Sequence, residues 1–111
     1  MTILVNSNAS NDVSSLVKSI YADEADFQEL LEYFVSALPE RRMQLLAGME
    51  EGDLFTLKSV AHQLKGAGGG YGYPGLTERA QQLEMACRAE KHAEIPGTLK
   101  NLVSYIDQIC R

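Results

Sequence analysis

Apolar residues recur at three- and four-residue intervals through almost the whole of this chain, and that spacing constrains the fold more than any other feature. From Asp26 onward, Phe27, Leu30, Leu31, Phe34, Val35 and Leu38 keep helical phase, and Leu45, Leu46 and Met49 resume it after Pro39. Pro39 either kinks this long helix or divides it. Leu54, Leu57, Ala61, Leu64 and Gly68 form a second stripe, Leu76, Ala80, Leu83 and Cys87 a third, and Leu99, Leu102, Val103, Ile106 and Ile109 a fourth. No alternating strand pattern, internal repeat or low-complexity tract interrupts them. Four amphipathic helices on short connections predict an all-α, up-down-up-down antiparallel four-helix bundle.

The boundaries follow from local chemistry. Gly52 reads as a helix stop and Asp53 as the N-cap of the next helix, while the glycines through Gly75, with Pro74, make the following connection. Upstream, Asn11 or Ser10 is placed to cap a short accessory helix through Val13, Leu16, Val17 and Ile20, with a loop near Asp23. Residues 1–10 are expected to be a flexible N-terminus and residues 11–111 the bundle domain.

At 111 residues the chain is long enough to bury one core. It has no run of 18 apolar residues, and Met1-Thr2-Ile3-Leu4-Val5 lacks the basic start and long apolar centre of a signal peptide. A membrane role is therefore not expected, and a cytoplasmic location is. A net charge of −5 argues against nucleic acid as a partner. Cys87 and Cys110 fall on apolar helix faces without ligand spacing, so they are expected to be small buried hydrophobes rather than a disulfide or a metal site.

Against this background one stretch stands out. Ala61-His62-Gln63-Leu64-Lys65-Gly66 is followed by Gly68-Gly69-Gly70-Tyr71-Gly72. At about 100° per residue, His62 lies roughly 140° from the centre of its helix's apolar stripe and points to solvent. Lys58 and Lys65 lie about one turn to either side and bracket the imidazole with positive charge. A neutral imidazole is a nucleophile with a reference pKa of about 6.5, and a lysine beside it can stabilise phosphoryl charge. Gly66 and Gly69 share its side of the helix and leave bare backbone there, although glycine costs a helix about 1 kcal/mol relative to alanine. Phe55 lies on the same side and is either a partner anchor or a packing residue for the accessory helix.

The ordered string, with small residues at positions 67–69 and Gly72 ten residues after the histidine, resembles the signature of histidine-containing phosphotransfer (HPt) domains. The resemblance extends over roughly residues 23–110. It implies that His62 accepts and donates a phosphoryl group, that Lys65 contacts phosphate or partner, and that Lys58, Gly66, Gly69 and Phe55 belong to the docking face. The implied partners are receiver domains of response regulators or hybrid sensor kinases, which would supply the carboxylates and Mg²⁺. This chain would then be a monomeric phosphocarrier with no cofactor or metal of its own. Ala67 and Tyr71 replace the Ser and the aliphatic residue that family members often carry. Some relatives place a Gln on the next helix near the histidine; Glu84 stands there in this chain, leaving a second polar helper unassigned.

Other motifs lack their context. Gly70-Tyr71-Gly72-Tyr73-Pro74-Gly75 satisfies G-x-G-x-x-G but follows a helix instead of a strand, and no phosphate loop for ATP is present. His92 has no paired base. Glu50, Glu51 and Asp53 fit a helix junction better than paired-carboxylate catalysis, and Tyr33, Tyr71, Tyr73 and Tyr105 fit packing or rim positions. The alternative to phosphotransfer is a non-phosphorylated four-helix adaptor that keeps the docking face.

Overall fold

The computed structural model describes residues 17–110. After a single 3-10 turn, Ala25–Phe27, come four helices: α1, Gln28–Glu51; α2, Leu54–Gly70; α3, Pro74–Arg88; and α4, Ile95–Ile109. Each packs against its neighbour in sequence and α4 closes back on α1, so the four form a bundle. Among the described residues there is no strand, and no helix is long and apolar enough to cross a membrane.

The stripes read from the sequence line the interior. Leu38, Leu45, Leu57, Ala61, Leu64, Leu76, Ala80, Leu83, Leu102 and Ile106 are all buried. Phe34 stacks on Tyr71 with ring centroids 4.4 Å apart and also meets Tyr73, which is itself buried. Tyr33 stays exposed at the rim.

Pro39 does not divide the first helix. It sits inside the continuous 24-residue α1, where its missing N–H would ordinarily have met the carbonyl of Val35, four residues earlier. That freed carbonyl has the Cys110 thiol 3.9 Å away. Cys110 is nevertheless exposed, contrary to its expected burial, because it follows the last turn of α4; Cys87 is buried as expected.

The junction between α1 and α2 follows its chemistry. Gly52 takes left-handed dihedrals (φ 67°, ψ 28°), and the Asp53 N–H reaches back to the Gly48 carbonyl at 2.8 Å. Asp53 then caps α2, accepting from the Thr56 N–H at 3.1 Å and the Thr56 hydroxyl at 2.7 Å. These bonds hold the Asp53 carboxyl below its ordinary pKa.

Two boundaries differ from expectation. The glycine run is not a loop: α2 continues helical through Gly70, the connection is only residues 71–73, and Pro74 and Gly75 open α3. Proline suits a first helical turn, where its N–H would have lacked a partner in any case. The expected accessory helix lies mostly outside the described residues. Its last positions, Val17 to Ser19, are not helical. They form a strap: the Val17 N–H bonds the Gln108 carbonyl, the Ile20 N–H bonds the Gly72 carbonyl, and the Ser19 hydroxyl donates to the Tyr71 carbonyl at 2.6 Å.

Candidate functional site

His62 projects from the middle of α2, on the side opposite its buried row of Leu57, Val60, Ala61, Leu64 and Gly68. Its side chain is 67% exposed. It shares a shallow hollow with Lys58, Ser59, Gln63, Glu84 and Arg88, the last two contributed by α3.

Glu84 organises that hollow. Its side chain is only 2% exposed, yet it is a carboxylate with three cationic or potentially cationic neighbours. Oε1 accepts from Lys65 Nζ at 2.8 Å; Oε2 lies 2.8 Å from Arg88 Nη2 and 2.9 Å from His62 Nδ1. Burying a carboxylate is costly unless hydrogen-bonded partners replace the lost water, and here they do. The Lys65 hydrogen bond, reinforced by His62, holds the Glu84 pKa below the ordinary carboxylate value against the opposing effect of desolvation.

Glu84 is therefore ionised near neutrality, and an ionised carboxylate only accepts hydrogen bonds. The hydrogen in the 2.9 Å contact belongs to His62 Nδ1. That assignment fixes the neutral tautomer and leaves the lone pair on Nε2, the ring nitrogen not held by Glu84. On a side chain this exposed, a nitrogen with a free lone pair is chemically able to act as a nucleophile, and a carboxylate against the other ring nitrogen is able to stabilise positive charge on the ring.

The family model for the Hpt domain matches residues 29–111. The chain belongs to the Hpt domain family. Neither the curated proteins nor the solved structures contain a match. An Hpt domain is a phosphotransfer domain of two-component signalling, a phosphocarrier rather than a kinase, and its family implies interaction with receiver domains.

Within this Hpt domain, the residues singled out in the sequence fall into two groups. His62, Lys65 and Lys58 come together around the hollow and Glu84, with the Lys65 ammonium engaged by that carboxylate. Gly66 and Gly69 lie beyond His62 on the same helix. A Cβ added at Gly66 would meet no atom within 4 Å, and one at Gly69 only the Thr77 hydroxyl at 3.9 Å. Phe55, 73% exposed, stands nearly two turns before His62 on that side.

The resemblance placed Glu84 near the histidine but gave it no part, and Arg88 was not singled out in the sequence. Glu84 stands 22 positions from His62 and beside the apolar stripe of Ala80, Leu83 and Cys87, a position that brings a carboxylate against the neighbouring helix. Arg88 follows Glu84 by four residues, the spacing of a helical ion pair, and this was a readable signal.

Proposed function

We propose that His62 is the phosphorylated residue of this Hpt domain and that it exchanges a phosphoryl group, through Nε2, with the phospho-aspartate of a receiver domain. The observation that carries this reading is the contact between His62 Nδ1 and the buried Glu84 carboxylate, which selects the tautomer with its lone pair facing outward.

In the forward step the Nε2 lone pair attacks phosphorus. The N–P bond forms as the P–O bond of the acyl phosphate breaks, and the receiver's carboxylate leaves with that electron pair. The ring keeps its Nδ1 hydrogen and becomes cationic, and Glu84 stabilises that charge. Transfer back to an aspartate runs through the same arrangement in reverse. Lys58, Lys65 and Arg88 supply positive charge around the hollow, which favours approach of a phosphorylated acidic site. The open backbone at Gly66 and Gly69 leaves room for the receiver beside the imidazole.

The reading is tested by incubating the chain with a phosphorylated receiver domain and following label onto it. The expected product is an acid-labile, base-stable phosphate on His62. Receiver binding without transfer under these conditions would instead support the adaptor reading.

A further inference from the structure

We infer that Thr77, at the opposite end of the α2–α3 contact, is a positioning residue that sets the register in which Glu84 meets His62; the inference rests on the phosphotransfer reading for its effect on rate. The Thr77 hydroxyl donates to the backbone carbonyl of Lys65 at 2.8 Å. Within the α2 helical ladder that carbonyl has a second lone pair to offer, and Thr77 occupies it. Lys65 is thus held twice by α3: its carbonyl by Thr77 and its ammonium by Glu84 at 2.8 Å.

The spacing ties the two fasteners together. Thr77 and Glu84 are seven residues apart, which is nearly two turns, so they face α2 from the same side of α3 to within roughly 20°. Gly68 permits the close approach that the first fastener needs. A Cβ at position 68 would lie 2.5 Å from Thr77 Oγ1, 2.9 Å from Thr77 N and 3.1 Å from the Tyr73 carbonyl. This glycine therefore sets how near the backbones come, and the Thr77 hydroxyl sets where along α2 they engage.

The remaining α2–α3 packing is largely apolar, through Ala61, Leu64, Leu76, Ala80 and Leu83. Such packing is non-directional and tolerates small slides better than a hydrogen bond does. A displacement of about 1 Å is enough to remove a hydrogen bond of ordinary length. Without the Thr77 anchor, the Glu84–His62 contact is the part of the interface that loosens, and the imidazole is released to its other tautomer.

Thr77→Val keeps the shape and removes the hydroxyl, while Thr77→Ser keeps the hydroxyl. The experiment records ¹⁵N-edited NMR of the His62 ring nitrogens in the full chain near neutral pH, with exposed His92 as the internal reference. It also measures phosphorylation by phosphoramidate, in which Nε2 attacks phosphorus and ammonia leaves. In Thr77→Val the protonated Nδ1 signature should diminish and phosphorylation should slow on the order of tenfold. Thr77→Ser should restore both. Gly68→Ala, which forces the backbones apart at the same point, should reproduce the Thr77→Val ring signature and serves as the second variant if Thr77→Val does not fold. A folded Thr77→Val with the wild-type ring-nitrogen pattern and rate would overturn the inference, as would Thr77→Ser behaving like Thr77→Val. The ring signature is read on unphosphorylated protein. A wild-type chain that shows the Nδ1–H signature but accepts no phosphate would therefore count against the functional reading and leave the register to be judged on the NMR alone.

Discussion

Glu84 Oε2 is shared by two donors, His62 Nδ1 at 2.9 Å and Arg88 Nη2 at 2.8 Å, on a side chain that is almost wholly enclosed. The same oxygen that holds the His62 ring also anchors Arg88 on α3. Changing its charge should therefore alter chemistry more than shape. In Glu84→Gln the amide oxygen can still accept from Nδ1, but the negative charge behind the ring is gone. Phosphorylation of His62 should slow by about tenfold or more, by analogy with the loss of carboxylates that orient other functional imidazoles. Helical content, read by circular dichroism, should be preserved; an unchanged rate would show that the negative charge behind the ring is not needed and leave Glu84 only the orienting hydrogen bond.

The depressed pKa of Glu84 has a definite consequence for stability. A carboxyl whose folded pKa lies below its unfolded value, about 4.3 for glutamate, contributes stability above that value and loses it as pH falls through the folded pKa. Wild-type protein should accordingly lose stability on acidification more steeply than Glu84→Gln. Urea melts across the acid range would show the difference, and parallel curves for the two proteins would contradict it.

Gly66 and Gly68, two positions apart on one helix, should respond oppositely to alanine. At Gly66 a Cβ meets open space, and replacing glycine there should raise stability by up to about 1 kcal/mol. At Gly68 the Cβ runs into the Thr77 backbone, and the substitution should cost roughly 1–3 kcal/mol. Gly66→Leu should fold well and yet impair transfer from a receiver, because its side chain projects on the His62 side. Thermal melts and transfer assays on the three variants separate these effects.

Arg88 is largely exposed, but it is one of three groups that hold the buried Glu84 carboxylate; with Lys65 and His62 still in place, Arg88→Met should cost about 1–2 kcal/mol. Its charge should also matter to transfer from a phosphorylated receiver. The rate should fall at low ionic strength, and the difference from wild type should shrink as salt is added. Equal rates for both proteins at low salt would leave Arg88 only its hold on Glu84.

Much of the bundle was legible in the sequence because helical periodicity reports burial directly, as the rows from Leu57 to Gly68 and from Leu99 to Ile109 illustrate. The α1–α2 junction was readable for a similar reason: Gly52 and Asp53 act on backbone groups within a few residues of themselves. Local signals failed where tertiary packing overrode them. Glycine propensity suggested a connection running through Gly75, but the helix that packs Gly68 on Thr77 continues to Gly70, and Pro74 and Gly75 already belong to α3. Helical phase and the Ala61–Gly66 string pointed to His62 and Lys65. The Glu84 contact depends on the relative register of two helices, which neither helix encodes alone.

The most direct test of the central claim is the site of phosphate after transfer from a phosphorylated receiver domain, determined by mass spectrometry and by ³¹P and ¹⁵N NMR of the intact chain. The account predicts one phosphoryl group on Nε2 of His62, absent from a His62→Gln variant that remains helical. Phosphate retained by His62→Gln, or none on the wild-type chain with receivers able to phosphorylate other Hpt domains, would contradict it.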